Sequence, residues 1–257
     1  MATLSVVVIT RDEEHNLAEC LDRVPFADEV VVVDDGSTDA TLEIARRYTD
    51  RVFERRLDRF GRQKQFAIEQ ASRDWILVLD ADERVTPELA ASIRAVLDAD
   101  GPHDGYKLRR LTWLFGAPVT FSGWYKCSHM RLFRRGPARY RARRVHEYPV
   151  LESGTVGCLD GHLEHHTYES IDEYRDKLDR YTRLAAEDWY DAGRRVNWLT
   201  APWFLLIVPA AAFIREFVVQ RGWRGGRVGW QIARMAARSD LRTARLLWRL
   251  TSERRGS

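Results

Sequence analysis

The chain has 257 residues, a formal net charge of +3, and 45% hydrophobic residues. This length suits one large domain, or one domain with an appendage, and is enough to bury a full core. The amino terminus enters an apolar run without a basic leader, so no secretory signal is expected. Three scattered cysteines, Cys20, Cys127 and Cys158, are too few for a disulfide framework, which predicts a reducing cytosolic environment.

Apolar runs and helical patterns alternate through the first hundred residues. The pattern predicts strands over Leu4–Thr10, Val30–Val33, Arg51–Glu54 and Trp75–Leu79, separated by helices over Glu13–Val24, around Leu42–Ala45 and over Gln63–Ala71. Strands that alternate with helices form a parallel sheet with right-handed crossovers. The predicted fold class is therefore α/β, with a Rossmann-like, mostly parallel sheet and flanking helices.

Polar and acidic side chains follow three of these strands where each strand ends: Thr10 and Asp12, Asp34 and Asp35, and Asp80 and Asp82. Ligands of open α/β sheets bind just outside the carboxyl ends of the strands. Two carboxylates as close as Asp80 and Asp82 repel each other unless a cation lies between them, and carboxylate oxygens suit Mg²⁺ or Mn²⁺. The alternative is an acidic lead-in to a helix, because Thr86-Pro87-Glu88 has the pattern of an N-cap and first turn.

The loop after the first strand, TRDEEHN, contains no glycine. It lacks the tight turn that cradles a dinucleotide pyrophosphate, and the chain has no GxxxxGK phosphate loop. Carboxylates cannot hold phosphate directly, but they accept hydrogen bonds from a base N–H and from ribose hydroxyls, while a metal bridges to the diphosphate. The pattern therefore favours a nucleoside-diphosphate substrate over a dinucleotide.

The order of the motifs SVVVITRDEE, VVVDDGSTDAT, GRQKQFA and LVLDADE resembles the nucleotide-binding half of family 2 glycosyltransferases with the GT-A fold. The later segments GWYKCSHMRLFRRG, RVHEYPV and LEHHTYESIDEYRDKLDRYTRLAAE resemble lipopolysaccharide core β-glucosyltransferases and their relatives. The resemblance covers roughly residues 3–190. It implies a GT-A domain over residues 1–190, followed by a helical tail over residues 191–257.

The resemblance implies roles for individual residues in nucleotide binding. Thr10 and Asp12 would line the base pocket, and Asp35 would hydrogen-bond the nucleobase. Lys64 would lie near the nucleotide, with a solvated helix lysine as the alternative. Asp80 would reach the ribose or a metal-bound water. Asp12 stands where relatives usually have asparagine, a change that alters the possible base contacts.

The resemblance also implies where metal and sugar bind. Asp82 would bind a divalent metal, Mg²⁺ or Mn²⁺, and His165 would complete the metal shell. Gly123 and Trp124 would contact the donor sugar or the acceptor. The histidines and cysteines of the chain lack the paired spacing of a structural zinc site.

Glu147, in RVHEY, falls where the family places its general base. An acceptor hydroxyl that attacks the anomeric carbon needs a carboxylate to take its proton. A single base, with no second carboxylate as nucleophile, predicts one displacement with inversion. The alternative is that Glu147 pairs with Arg143 or Arg144. Relatives commonly read GWYPD where this chain has GWYKC, so a carboxylate near the acceptor is missing and the acceptor stays open.

The carboxyl-terminal residues differ in charge from the rest. Residues 194–257 hold thirteen arginines, no lysine and three acids, a net charge of +10, which leaves −7 for residues 1–193. After a predicted helix over Ser170–Ala192, Trp198–Ile214 is an uncharged stretch of 17 residues, short for a membrane span. A stripe of arginines at helical spacing follows, flanked by Trp230 and Trp248: Arg234, Arg238, Arg242, Arg245 and Arg249.

These features predict a tail that lies on an anionic membrane surface. Nucleic acid is the rival polyanion, but the apolar residues 198–214 argue against it. A packed helical extension is the remaining alternative.

Together with the resemblance, the sequence predicts a peripheral enzyme at the cytoplasmic face of the inner membrane. It would be an inverting, metal-dependent glycosyltransferase that moves a sugar from a nucleoside-diphosphate donor. The acceptor would be a glycan or lipid-linked molecule in cell-envelope polysaccharide or lipopolysaccharide synthesis. The alternatives are a sugar nucleotidyltransferase and a non-catalytic membrane-bound scaffold on the same fold.

Overall fold

A computed structural model describes residues 1–56, 60–114, 116–121, 127–136, 138–140, 149–168 and 171–253. The chain divides into two compact units. The first comprises Met1–Leu111 and Lys126–His166, and the second comprises Thr112–Tyr125 and Thr167–Ser257. This division differs from the predicted domains, residues 1–190 and 191–257, because the helix that ends at Asp191 packs within the second unit.

The amino-terminal part of the first unit is a parallel sheet, as its alternating pattern predicts. Its strands are β1 (Leu4–Thr10), β2 (Glu29–Asp34), β3 (Val52–Glu54) and β4 (Trp75–Asp80). They lie in the order β3-β2-β1-β4, and every neighbouring pair is parallel. The helices between them are α1 (Leu17–Asp22), α2 (Thr41–Tyr48) and α3 (Phe60–Gln70). Helix α1 is shorter than predicted, because residues 14–16 form a turn.

These strands are apolar throughout because both faces of the sheet are covered. Successive side chains of a strand point to opposite faces. In β1, Val6 packs in one hydrophobic cluster and Val7 in another, and in β4 the same holds for Leu77 and Ile76. Burial on both sides is the reason that the strands read as continuous apolar runs rather than as alternating ones.

The remaining strands make the sheet mixed rather than mostly parallel. After β5 (Glu83–Val85) and helix α4 (Pro87–Ala99) come β6 (Gly105–Leu114), β7 (Ala117–Val119), β8 (Cys127–Arg134), β9 (Ala138–Tyr140), β10 (Pro149–Leu151) and β11 (Val156–Tyr168). They extend the sheet beyond β4 in the order β8-β6-β11-β5, while β9 and β10 form a separate pair. Strand β8 is antiparallel to β4 and β6, and β11 to β5. Within the described residues no helix separates β6 from β11, so the crossover that parallel pairing needs is missing.

Apart from β7 and the ends of β6 and β11, the described part of the second unit is built from helices. Helices α5 (Ile171–Asp191) and α7 (Gly226–Glu253) pack against each other. Between them the chain forms the helical stretch Trp203–Val219, in which α6 (Val208–Ile214) lies between two π-helical ends, and then a 3-10 turn, Gly222–Gly225.

The apolar face of α7 is covered within the unit. It buries Ile232, Ala233, Ala244 and Leu247, and the helix packs against both α5 and α6. The predicted arginine stripe lies on the exposed side of the same helix. In the part of the chain that the structure describes, no single helix has the length and apolar composition to cross a membrane. Trp203–Val219 and Gly222–Glu253 meet that criterion only as a pair bent by 71°.

The first unit contains a disulfide, which the cysteine count did not predict. The structure joins Cys127 to Cys158 in a disulfide, with the two Cα atoms 6.4 Å apart. Both cysteines lie on strands that neighbour β6, so the sheet brings together residues that are 31 positions apart in the chain. Cys20 is the remaining cysteine and is buried. The spacing of three cysteines carries no information on such a pairing.

Replacing Gly161 with alanine should destabilise the first unit. Gly161 has φ +80°, and an added Cβ would collide with the backbone of Glu88 and Leu89 at the start of α4. We expect the Gly161→Ala variant to lose at least about 2 kcal/mol of unfolding free energy, because the strained dihedral and the overlap add. Urea unfolding followed by circular dichroism measures this loss.

Gly193→Ala is the matched control. Gly193 has φ +82°, but an added Cβ would meet nothing within 4 Å. This variant should lose only about 1 kcal/mol. Equal losses in the two variants would show that the contact between β11 and α4 is not tight.

Candidate functional site

The three polar strand ends lie side by side in the first unit. The parallel register pairs Thr10 with Asp34 and Ile9 with Asp80. The Asp35 N–H donates to the Thr10 carbonyl over 2.9 Å. The carboxyl ends of β1, β2 and β4 therefore form one polar edge, which confirms the predicted grouping of these residues.

Asp12 joins the loop after β1 to the loop after β2. Its φ is +51°, in the left-handed region that aspartate tolerates better than most residues. Asp12 Oδ1 accepts hydrogen bonds from the N–H and Oγ1 of Thr38, over 2.8 and 3.2 Å, and its own N–H donates to Ser37 Oγ over 2.8 Å. These contacts give Asp12 a structural role, and its contact with a base stays a prediction.

The two aspartates that follow β2 have different surroundings. Asp34 is fully buried, and its carboxylate accepts hydrogen bonds from the N–H and Oγ of Ser37. Asp35 Oδ2 accepts a hydrogen bond from Arg11 Nη1 over 3.0 Å. Thr10 Oγ1 is buried and has no hydrogen-bond partner among the described residues. An unsatisfied buried hydroxyl costs about 1–3 kcal/mol, so Thr10 is suited to a polar ligand at this edge.

Asp80 is paired with two cations. Lys64 Nζ, on α3, lies 2.5 Å from Asp80 Oδ1, and Arg131 Nη2, on β8, lies 2.8 Å from Asp80 Oδ2. The same Arg131 nitrogen lies 2.8 Å from Glu83 Oε1, and Glu83 Oε2 accepts a hydrogen bond from the Asp80 N–H over 2.9 Å. Lys64 is therefore not a solvated helix lysine. Two carboxylates and two cations thus form one network, and its members Asp80 and Glu83 lie on either side of Asp82 in the sequence.

The pKa values in this network follow from burial and from the two cations. Burial by itself would raise the pKa of Asp80, but Arg131 and Lys64 outweigh it and hold that pKa well below its usual range. Burial raises the pKa of Glu83 against the attraction of Arg131. Burial lowers the pKa of Arg131, but the negative charges of Asp80 and Glu83 raise it by more. Asp80 and Arg131 are therefore charged partners at neutral pH.

The pairing of β5 with β11 brings His165 to Asp82. It places His165 opposite Glu83, and the His166 N–H donates to the Asp82 carbonyl over 3.0 Å. His165 Nε2 consequently lies 3.3 Å from Asp82 Oδ2, and both side chains are partly exposed. The structure thus brings together the two residues predicted as metal ligands, which are 83 positions apart in the sequence.

The donor atoms of Asp82 and His165 fit a divalent metal. Among the described residues no group of three or more histidine, cysteine, aspartate or glutamate side chains converges. Mg²⁺ is usually held by one or two protein ligands together with waters and substrate phosphates. Its ligand distances of about 2.1 Å place neighbouring octahedral ligands about 3 Å apart, close to the 3.3 Å between this pair.

The helix that follows also forms as the alternative interpretation expects. Thr86 Oγ1 accepts a hydrogen bond from the Leu89 N–H over 3.4 Å, and Pro87 occupies the first turn of α4. The capping signal therefore accounts for the residues after Val85. It does not account for the Asp80 network or for the contact of Asp82 with His165, so the two features coexist.

Three of the predicted site residues lie outside the described residues. These are Gly123 and Trp124, assigned to the donor sugar or acceptor, and Glu147, assigned as the general base. The two arginines weighed as alternative partners of Glu147 lie outside as well. The roles of all three stay predictions.

Arg131 and Glu83 belong to the site but were not predicted from the sequence. The signal for Arg131 is its position between Met130 and Leu132, because an arginine in a buried strand needs an anionic partner. Arg84 was not predicted either. It is 2% exposed and donates a hydrogen bond to the Ala81 carbonyl over 2.9 Å, which stabilises the turn between β4 and β5.

The fold and the polar edge define the class: an α/β domain with acidic side chains grouped at the carboxyl ends of its parallel strands. The sequence model of the family described as Glycosyl transferase family 2 matches residues 5–146. The chain belongs to this family and is an enzyme of the glycosyltransferase class. Membership favours glycosyl transfer over the nucleotidyltransferase and scaffold alternatives.

Similar proteins extend over most of the chain. The lipopolysaccharide core biosynthesis glycosyltransferase LpsC of Rhizobium meliloti is 31% identical over 88% of this chain and 85% of its own length. An uncharacterised glycosyltransferase of Rickettsia prowazekii is 28% identical over 85% and 79%. The crystal structure of S. aureus TarS residues 1–349 in complex with UDP has a TM-score of 0.50 and 17% identity, over 99% of this chain and 92% of that one. That likeness supports the GT-A fold alone.

Removing the guanidinium of Arg131 should cost more stability than any surface ion pair. The Arg131→Met variant leaves Asp80 and Glu83 without their shared cation, and we expect a loss of about 3–5 kcal/mol of unfolding free energy. Adding Glu83→Gln to that variant should restore part of the loss, because one unpaired carboxylate disappears. Urea unfolding of the variants measures both effects.

The matched control is Arg47→Met, which breaks an exposed ion pair with Glu43 on α2. It should change the unfolding free energy by less than about 1 kcal/mol. If Arg131→Met unfolds at the same urea concentration as the native protein, the network does not hold the turn after β4.

Proposed function

We propose that this protein is an inverting, metal-dependent glycosyltransferase that uses a nucleoside-diphosphate sugar. The observation that carries the proposal is the contact between Asp82 and His165 beside the Asp80 network, at the strand edge where α/β sheets bind ligands. A donor of this kind presents a base, a ribose and a diphosphate, and each of these meets a suitable group at this edge.

Base and ribose would bind next to β1 and β2. Thr10 offers a buried hydroxyl that lacks a partner within the described part of the chain, and Asp35 offers a carboxylate that also contacts Arg11. Asp80 lies one strand further, with its charge balanced by Lys64. A ribose hydroxyl can donate to Asp80 without facing an uncompensated negative charge.

Asp82 and His165 would hold Mg²⁺ or Mn²⁺. When bound, such an ion supplies Lewis-acid stabilisation of the negative charge that develops on the leaving diphosphate. The protein contributes a fixed pair of ligands, because His165 is set by the β5–β11 pairing and the turn with Asp82 is fastened by Arg84. Lys64 provides a second positive charge near the same edge.

Glu147 would take the proton of the acceptor hydroxyl as that oxygen attacks the anomeric carbon. With a single carboxylate in this role, the reaction is one displacement and inverts the configuration at that carbon. We infer that the acceptor is a glycan or lipid-linked molecule of the cell envelope, because the similar LpsC carries lipopolysaccharide core biosynthesis in its name. The charge of +10 in residues 194–257 supports a peripheral location at the anionic cytoplasmic face of the inner membrane.

Asp82→Asn should abolish transfer while the protein stays folded. The variant keeps the size of the side chain but weakens the metal ligand, so the Mn²⁺-dependent part of the stabilisation by nucleoside diphosphate should also vanish. A thermal-shift titration with and without Mn²⁺ measures binding, and sugar release from the donor measures turnover. Asp98→Asn, at an exposed aspartate of α4, is the control and should match the native protein. Normal turnover of Asp82→Asn in excess chelator would refute the metal assignment.

Glu147→Gln should lower turnover at least about 100-fold, with donor binding nearly unchanged. The amide keeps the shape of the side chain but cannot accept the proton. Steady-state kinetics should therefore show the loss in kcat rather than in the KM for the donor. Glu152→Gln, an exposed neighbour in the chain, is the control. A loss smaller than about fivefold would mean that the base is another carboxylate.

A further inference from the structure

Exposed large apolar side chains are concentrated in one part of the second unit. Nine of the sixteen in the described residues lie within residues 198–223, with exposures between 49% and 78%. They form what we name the apolar surface: Trp198, Leu199, Trp203, Leu206, Ile207, Ile214, Val218, Val219 and Trp223. Single exposed apolar side chains are ordinary, but a concentration of this size marks an interaction site.

Much of the apolar surface is one face of the helical stretch Trp203–Val219. Trp203, Ile207, Ile214 and Val218 recur at spacings of four, seven and four residues, which places them on one side of a helix. The residues buried in the same stretch, Pro209, Ala212 and Glu216, fall on the opposite side, and α6 packs against α7. The apolar surface is therefore the side of this stretch that faces away from α7.

The exposed charged side chains within residues 194–227 are all positive. Exposed Arg194 precedes it in the chain, and exposed Arg221, Arg224 and Arg227 lie at its end and just beyond. The only acid between residues 194 and 227 is Glu216, which is buried and accepts hydrogen bonds from Arg215 and Gln220. An apolar segment flanked in the chain by exposed cations, with no exposed carboxylate within residues 194–227, matches an anionic lipid surface.

The positions of the tryptophans also indicate a lipid surface. Trp198 and Trp203 lie at the start of the apolar surface and Trp223 lies at its end. Tryptophan favours the boundary between acyl chains and headgroups, because its ring is apolar and its N–H is polar. Arg224 lies over the Trp223 ring at 5.7 Å, so a cation stands beside the aromatic group at this end.

We propose that the apolar surface inserts into the outer few ångströms of an anionic bilayer, with Arg221, Arg224 and Arg227 on the lipid phosphates. The inference rests on the proposed membrane location and names the residues that make it. It also places the membrane contact on the apolar surface and not on the arginine stripe of α7. That stripe lies opposite the face that α5 and α6 cover, and Trp230 and Trp248 are the only exposed large apolar side chains among the described residues of α7.

A second copy of the chain is the rival occupant. Each copy would bring exposed arginines and no exposed carboxylate from residues 194–227, which opposes a symmetric contact. The experiment therefore measures vesicle flotation and oligomeric state on the same samples. It uses the full chain and empty vesicles of phosphatidylcholine, with or without phosphatidylglycerol, at low and high salt.

Three triple variants separate the surfaces. Leu206→Gln/Ile207→Gln/Val218→Gln should lower the fraction that floats at high salt at least about tenfold, because it removes apolar insertion. Arg221→Gln/Arg224→Gln/Arg227→Gln should lower binding at low salt by at least about tenfold. Arg238→Gln/Arg242→Gln/Arg245→Gln removes equal charge from the stripe and should leave flotation nearly unchanged.

A control of equal apolar loss uses exposed residues elsewhere: Val156→Gln/Tyr181→Gln/Leu184→Gln should float like the native chain. If the stripe variant loses as much binding as the Arg221, Arg224 and Arg227 variant, or if the native chain stays in solution as a dimer, the proposal is overturned. Sugar release from the donor in solution is measured on every variant. It needs no lipid, so a failure of flotation and a failure of the proposed function are distinguishable.

Discussion

The guanidinium of Arg131 is the interaction on which the site depends. It lies between Asp80, at the end of a parallel strand, and Glu83, in the antiparallel part of the sheet, within 2.8 Å of both. Without this cation the half-buried Asp80 and the buried Glu83 would repel each other across a turn of two residues. With it, the turn closes, and Asp82 is left at the apex facing His165. The parallel and antiparallel parts of the sheet are thus connected by this ion-pair network as well as by the backbone.

Much of the parallel half could be predicted because its determinants are local. Apolar runs such as Trp75–Leu79 are buried on both faces, and each acidic strand end is visible in the sequence itself. The metal pair was also reached, but through the family resemblance, since nothing near His165 in the sequence refers to Asp82. Their contact depends on the register of β5 with β11. Periodicity within one segment cannot reveal a register between two.

The parts that were missed depend on contacts between distant segments. Lys64 and Arg131 come from α3 and β8, and no local pattern shows that both reach Asp80. The same holds for the disulfide of Cys127 with Cys158. In the tail, the arginine spacing correctly located the exposed side of α7. It could not show that the opposite side is already occupied by α5 and α6.

Every basic side chain from Arg194 to the end of the chain is an arginine. A guanidinium keeps its proton below about pH 12, whereas an ammonium can be neutralised by acetylation. The positive charges of this region therefore persist across physiological pH and are beyond the reach of enzymes that modify amines. For the same reason, amine-reactive crosslinkers and labels would not react with the side chains of this region, and its contacts have to be mapped with reagents of another specificity.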